Sequence, residues 1–420
     1  MMFAKADCYS PLAMKKIFLE FSAASGLVMN PEKSQIFICG VSDQLKNEIV
    51  QLLGFSEGAL PVRYLGVPLI SARSNSKDCL PIVQNVRQRI DSWVNKSLSY
   101  AGRVQLVNAV LFHLQVFWSG VFIIPSQVMK QIEACCRNFV WTGTWSQVGI
   151  PLVSWKQICL PRNERGLGVK QLREWNRAFM SKHVWNLVTE DKNLWTIWMK
   201  NKMRNQNAWA YVERQDSSFS WRQILKMRGS LQHCLVKKIG DGRETSLFFD
   251  KWLEKGRIVD LVGGREYVVQ WGETKMVADW RTSHGWSIPA SFQRQFPTIS
   301  AEIHRTNVSH GLDEVIWTEH CSGKFSVSSC YQMLRRKAPK VSWSTLIWDK
   351  FVLPRHAFIW WLVVHGKLKT KTYLHGLGLN VDTTCSFCGN GDEDINHSFF
   401  GFSFTKMIYK QVLQKWGVNH

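Results

Sequence analysis

The chain has 420 residues, 45% hydrophobic and 20% charged, which excludes a disordered protein and leaves room for several domains with substantial cores. Its 53 Lys and Arg against 32 Asp and Glu give a formal charge of +21, far more than solubility requires, so polyanions are expected partners, nucleic acid before an anionic membrane. The 11 scattered cysteines, and an opening Met1-Met2-Phe3-Ala4-Lys5 without an apolar secretory run, argue against a disulfide framework and for an intracellular protein.

In chain order, residues 10–24 with Ile17, Phe18 and Phe21 predict a helix that Ser25-Gly26 ends. Ser34–Cys39 and Arg63–Leu69 read as short strands around another helix. From Lys77 to Trp141 the pattern is helical, first through Val83, Val86, Ile90 and Trp93, then over 104–116 and 128–140. No charge falls between Arg103 and Lys130, yet Gln105, Asn108, Gln115 and Ser119 make one polar stripe. A buried amphipathic helix is therefore expected there, and no membrane span.

Residues 150–310 mix helices with glycine turns at Glu164–Gly168, Gly240-Asp241-Gly242 and Gly263-Gly264. Ser322–Val327 predicts a strand leading into a helix over 328–337, with further helices at 343–351 and 355–364. Trp185, Trp195, Trp198, Trp360 and Trp361 lie in apolar periodic segments, and most of the tryptophans are expected to fill cores rather than to stack on bases.

Near the end stands Cys385-Ser386-Phe387-Cys388, followed by His397. Two cysteines two residues apart can clamp a metal from a tight turn, and a histidine arriving from the next element supplies a third donor. Structural zinc takes four. Two readings stay open. Zinc is held by Cys385, Cys388 and His397, with water, Asp392, Glu393, Asp394 or a more distant histidine as the fourth ligand. Alternatively, the segment packs without metal through Phe399, Phe400, Phe402 and Phe404. No catalytic residue is assigned, because His-Glu-x-x-His, Gly-x-Ser-x-Gly and Asp-Asp are all absent from the sequence.

An ordered series of motifs runs along the chain. It begins with Gly26-Leu-Val-Met-Asn30-Pro-Glu-Lys33-Ser34, Tyr64–Leu69, Leu98–Arg103 and Phe139-Val-Trp141. It continues with Gly166-Leu-Gly168 followed by Asn176 and Lys182, Thr245–Trp252, and Gly323–Tyr331 on to Phe404. The series resembles plant non-LTR (LINE-type) retroelement reverse transcriptases downstream of their active site, and its last region resembles their zinc-binding domain.

The resemblance implies an α+β, predominantly helical chain: a palm edge at 1–75, thumb-like helices at 76–150, a helical connection at 151–312 and a small zinc-knuckle-like domain at 313–410. It places Lys33 near the phosphates of an incoming nucleotide and Tyr64 and Gly66 in the primer-grip turn. Arg87, Arg89, Lys96 and Arg103 become phosphate contacts of the thumb. In the family, zinc has a fourth ligand, a cysteine, where this chain has Phe402. The family's catalytic aspartates bind two Mg²⁺ ions; Met1–Asp7 resembles the residues just after them, so neither Mg²⁺ nor polymerisation by the chain alone is expected. The implied function is that of a truncated reverse transcriptase binding RNA or an RNA–DNA duplex, in the nucleus rather than the cytoplasm. The alternative is a non-enzymatic scaffold that binds a protein partner through the zinc-binding domain.

Overall fold

The computed structural model describes residues 2–415, apart from 61, 65, 70–75, 95–96, 216, 283–284, 307 and 309–310. The architecture is α+β and predominantly helical, with a few short two-stranded pairings, and it divides into two compact units, Met1–Asp78 and Cys79–His420.

In the first unit, helix α1 (Ser10–Ser25) packs on α2 (Asp43–Leu53). The Asp7 carboxylate accepts the N–H groups of Tyr9 and Ser10 at the head of α1, using the helix's unpaired donors in the manner of a cap. Gly26 at φ +71° ends that helix in the left-handed region. Strands β1 (Gln35–Ile36) and β2 (Ser56–Glu57) pair in parallel, while β3 (Val62–Tyr64) and β4 (Val67–Leu69) form a hairpin.

The second unit begins with α3 (Leu80–Asp91), α4 (Tyr100–Leu106), α5 (Phe112–Val121) and α6 (Ser126–Thr142). One apolar face of α3 (Ile82, Val83, Val86, Ile90) is buried, and α3 packs on α6. Each such side chain stabilises the unit by about 1.5–3 kcal/mol. A π-type turn at Val107–Leu111 joins α4 to α5. No helix among the described residues is long and apolar enough to cross a membrane.

Helix α7 (Leu172–Val188) is the hub, packed against α5, α6, α9 (Phe219–Leu231) and α10 (Val327–Leu334), with α8 (Leu194–Lys202) beside it. Buried Asn176 explains one element of the motif series. Its side-chain amide donates to the carbonyls of Ser119 and Phe122 at the end of α5, and its oxygen accepts the Ile124 N–H at 3.1 Å. It thereby satisfies carbonyls that a helix C-terminus leaves open.

A separate core fills residues 239–303, where Phe248 and Phe292 meet Trp280 at 5.6 and 4.9 Å between ring centres. Beside it, β5 (Leu235–Lys238) pairs antiparallel with β6 (Glu314–Trp317).

Two expectations are corrected here. Ser322–Val327 is not a strand: Gly323 turns the chain at φ +68°, its carbonyl accepts the Trp317 N–H, and Ser326 caps α10 through the Ser329 N–H. The alternation at 324–327 belongs to an extended approach and a helix cap. Trp198 is 58% exposed, its ring within 5.5 Å of the Lys202 ammonium, because it lies on the open side of α8.

The turn at Gly240–Gly242 is held from a distant loop. The Asp313 carboxylate accepts the N–H groups of Gly240, Gly242 and Glu244 and the Thr245 hydroxyl, all at 2.7–3.0 Å. Burial alone would raise the pKa of Asp313. The hydrogen bonds outweigh it and hold the group below the usual carboxylate range. Its contribution is therefore complete above the unfolded value of about 4 and is lost as pH falls through the lower folded value. Asp313→Ala should cost roughly 2–3 kcal/mol in chemical denaturation at pH 7. The gap between variant and wild type should close on acidification. A gap that widens in acid would rule out the ionised clamp.

Candidate metal centre

The last part of the chain comprises α11 (Pro354–Val364), α12 (Lys371–Gly376), the cysteine turn, and α13 (Ser403–Lys415). The turn is fixed by its own backbone. Cys385 N–H bonds to Gly391 O, Gly389 N–H to Cys385 O, and Glu393 N–H to Thr383 O, each at 2.8–2.9 Å. Asp394 accepts the His397 N–H at 2.6 Å and so sets the start of the next helical turn.

The sulfurs of Cys385 and Cys388 and a ring nitrogen of His397 lie within 4.8 Å of one another, with Cys388 Sγ 3.3 Å from His397 Nε2. Zinc at about 2.3 Å from sulfur and about 2.0 Å from nitrogen needs tetrahedral donors roughly 3.3–3.8 Å apart. The Cys388–His397 separation meets that requirement, and the Cys385 sulfur lies within 4.8 Å of both. The N–H groups of Phe387 and then Cys388 face the Cys385 sulfur and, together with the His397 and Cys388 side chains, lower its thiol pKa to about 7. This favours the thiolate a metal binds.

Among the described residues no carboxylate joins the cluster. Asp392 accepts the Thr383 hydroxyl at 2.6 Å and Asp394 is spent on His397. Phe402 sits against the site instead, its ring centre 6.1 Å from that of His397 and 5.9 Å from that of Phe387. A π-type turn over His397–Gly401 causes this proximity, with Phe402 N–H donating to His397 O at 2.7 Å. Aromatic contacts also run through this segment: Phe399 lies 5.1 Å from Trp360 and Phe402 6.3 Å from Phe404, while Phe400 and Phe404 stay more than half exposed. Donor convergence and aromatic packing coexist.

The residues expected to meet phosphate are placed variously. Lys33 is exposed at the end of a short turn whose N–H groups Asn30 caps. Tyr64 lies in β3 and Gly66 in the hairpin turn at φ +85°. Arg89 is exposed on α3, whereas Arg87 is half-buried with its guanidinium 4.6 Å from the centre of the Trp145 ring. Arg103 donates to Val140 O near the C-terminus of α6, where positive charge is favourable. Lys96 lies outside the described residues.

Comparison with known proteins bears on the last segment first. Residues 325–409 match the family described as zinc-binding in reverse transcriptase, and the three converging donors lie inside that match. The C-terminal segment is thus similar to the zinc-binding segments of reverse transcriptases. A protein of Arabidopsis thaliana whose name provisionally calls it a ribonuclease H is 27% identical over 344 residues. The aligned stretch covers 79% of this chain and 55% of that protein, so the chain spans about half the length of this relative. An uncharacterised mitochondrial protein of the same plant is 22% identical over 142 residues, 33% of this chain and 92% of its own length. Together with the zinc-binding domain, these matches support a reverse-transcriptase-related chain of retroelement origin.

The partners that buried carboxylates find across the chain carry no local signal in the sequence. Glu164 and Arg335 form a bidentate pair at 2.6 and 2.7 Å, both almost fully buried, and Glu164 also accepts the Ala338 N–H. Asp250, within the motif Thr245–Trp252, is buried and accepts the Ser246 N–H at 2.7 Å; burial pushes its pKa up.

Proposed function

We propose that the chain serves as the part of a LINE-type reverse transcriptase that follows the catalytic aspartates, and that its task is to hold nucleic acid, RNA or an RNA–DNA duplex, in the nucleus. In this reading 1–75 is the palm edge, 76–150 the thumb, 151–312 the connection and 313–410 the zinc-binding region. The observation that carries the reading is the family match over 325–409, with Cys385, Cys388 and His397 converging inside it. Zinc held by these three residues would cross-link a loop-rich segment and supply folding free energy rather than reaction chemistry.

The charge of +21 supports the binding role, since neutralised phosphates release counterions and give affinity at low salt. Of the described candidates Arg87, Arg89 and Arg103, Arg89 is the most open to phosphate. Arg87 and Arg103 combine a basic charge with packing on Trp145 and on the end of α6.

The test is fluorescence anisotropy of a labelled RNA–DNA duplex titrated with the full chain at several salt concentrations. With six to ten phosphate contacts, affinity should fall by about 10³–10⁵ between 50 and 200 mM salt. Affinity that does not change with salt would end the reading.

A further inference from the structure

Residues 152–165 and 343–367 line an open concavity of about 500 Å³. Ser154, Gln157 and Arg165 line it from one side, and Trp343, His365 and Lys367 from the other. No carboxylate is among its lining residues, and neither Arg165 nor Lys367 has an ion-pair partner among the described residues. Another cavity, beside Asp250, is balanced by contrast: Lys200, Lys237 and Arg243 line it together with Glu190, Glu244 and Asp250.

The walls are preset. Arg165 is held at φ +72°, a region other residues than glycine rarely adopt, and its carbonyl accepts Trp361 Nε1–H at 2.9 Å. The next residue must be glycine, because a Cβ at Gly166 would lie 1.8 Å from the Leu160 carbonyl oxygen. Across the concavity, His365 donates from Nδ1 to Trp361 O at 2.7 Å and meets the Trp343 ring edge-on at 6.1 Å. Cations without an ion-pair partner, Lys367 lying 5.8 Å from the centre of the Tyr373 ring, stand beside an indole wall in a space of nucleotide size, which suits a phosphate with an attached base.

We infer that this concavity binds one nucleotide of a single-stranded nucleic acid, its phosphate on Arg165 and Lys367 and its base against Trp343. The inference rests on the nucleic-acid reading above and gives it a location and a strand preference.

The test compares full-length wild type with R165Q/K367Q, with W343L, and with K192Q/K255Q as a charge-matched control on other exposed lysines. A labelled ten-nucleotide oligo-U is followed by anisotropy, and millimolar UMP by ³¹P line broadening; circular dichroism melts confirm that the variants fold. R165Q/K367Q should weaken oligo-U binding by about tenfold or more and reduce the salt slope by roughly 1.4, while the control does neither. UMP broadening should vanish in R165Q/K367Q, and W343L should weaken oligo-U binding with the salt slope kept.

Equal losses in R165Q/K367Q and the control, with UMP broadening unchanged, would overturn the site and leave general nucleic-acid binding intact. Stronger binding of a duplex than of oligo-U, with the same dependence on Arg165 and Lys367, would overturn the single-strand assignment. UMP broadening that depends on Arg165 and Lys367 in a chain that binds no oligonucleotide would sustain the phosphate pocket and sink the nucleic-acid reading. Neither signal in wild type would sink both.

Discussion

Arg335→Ala is expected to lower the unfolding free energy by about 3–5 kcal/mol, among the largest effects of any single substitution in the chain. The reason is the charge left behind. Glu164 is almost fully buried and makes two bonds to the guanidinium and one to the Ala338 N–H. Without Arg335 the carboxylate must stay ionised in a dry site or take up a proton, and either is costly. The guanidinium bonds first, then that N–H, hold the Glu164 pKa below its usual range against burial. Replacing both partners, as E164L/R335M, should recover most of the loss, since two apolar side chains leave no charge to solvate. Guanidinium denaturation of the three variants checks this. A double variant as unstable as Arg335→Ala would mean that the ion pair is not the cause.

Phe402→Cys should tighten zinc binding by at least about a hundredfold, since even outer-shell changes at metal sites alter affinity by about 10–100-fold. The π-type turn at His397–Gly401 already brings the ring of residue 402 to 6.1 Å from that of His397, so a thiol at this position is expected to join the other donors. The same substitution removes the ring that packs on Phe387 and Phe404, which weakens the metal-free segment and makes its order more dependent on zinc. Cys385→Ser should act oppositely, removing the thiolate that the Phe387 and Cys388 N–H groups stabilise. Competition with a chromophoric chelator measures all three proteins. Equal affinities for wild type and Phe402→Cys would show that a fourth thiolate is immaterial here.

Legibility in the sequence followed distance along the chain. The cysteine turn could be read directly because its donors are close in sequence and the backbone alone shapes it. The helices from α3 to α6 were legible through their apolar spacing. The strand expected at Ser322–Val327 failed because a capping serine after a glycine turn mimics strand alternation. Trp198 failed because periodicity shows which residues share a face and not which face is covered. Asp313 and its turn, or Glu164 and Arg335, meet only after the chain has closed large loops, and no local pattern encodes such pairings.

The Glu164–Arg335 pair also bears on how the molecule can be divided. The family match begins at residue 325, which invites cutting there. A fragment starting at that point would lose the carboxylate that meets Arg335, the Arg165 carbonyl that meets Trp361 Nε1, and the Gln171 N–H that the Tyr331 hydroxyl accepts. Three polar groups that are paired in the whole chain would be stranded on a newly bared face. The matched segment is thus a unit of sequence without being a unit of excision, and a soluble piece should begin before Pro161, so that the turn carrying Glu164 and Arg165 comes with it.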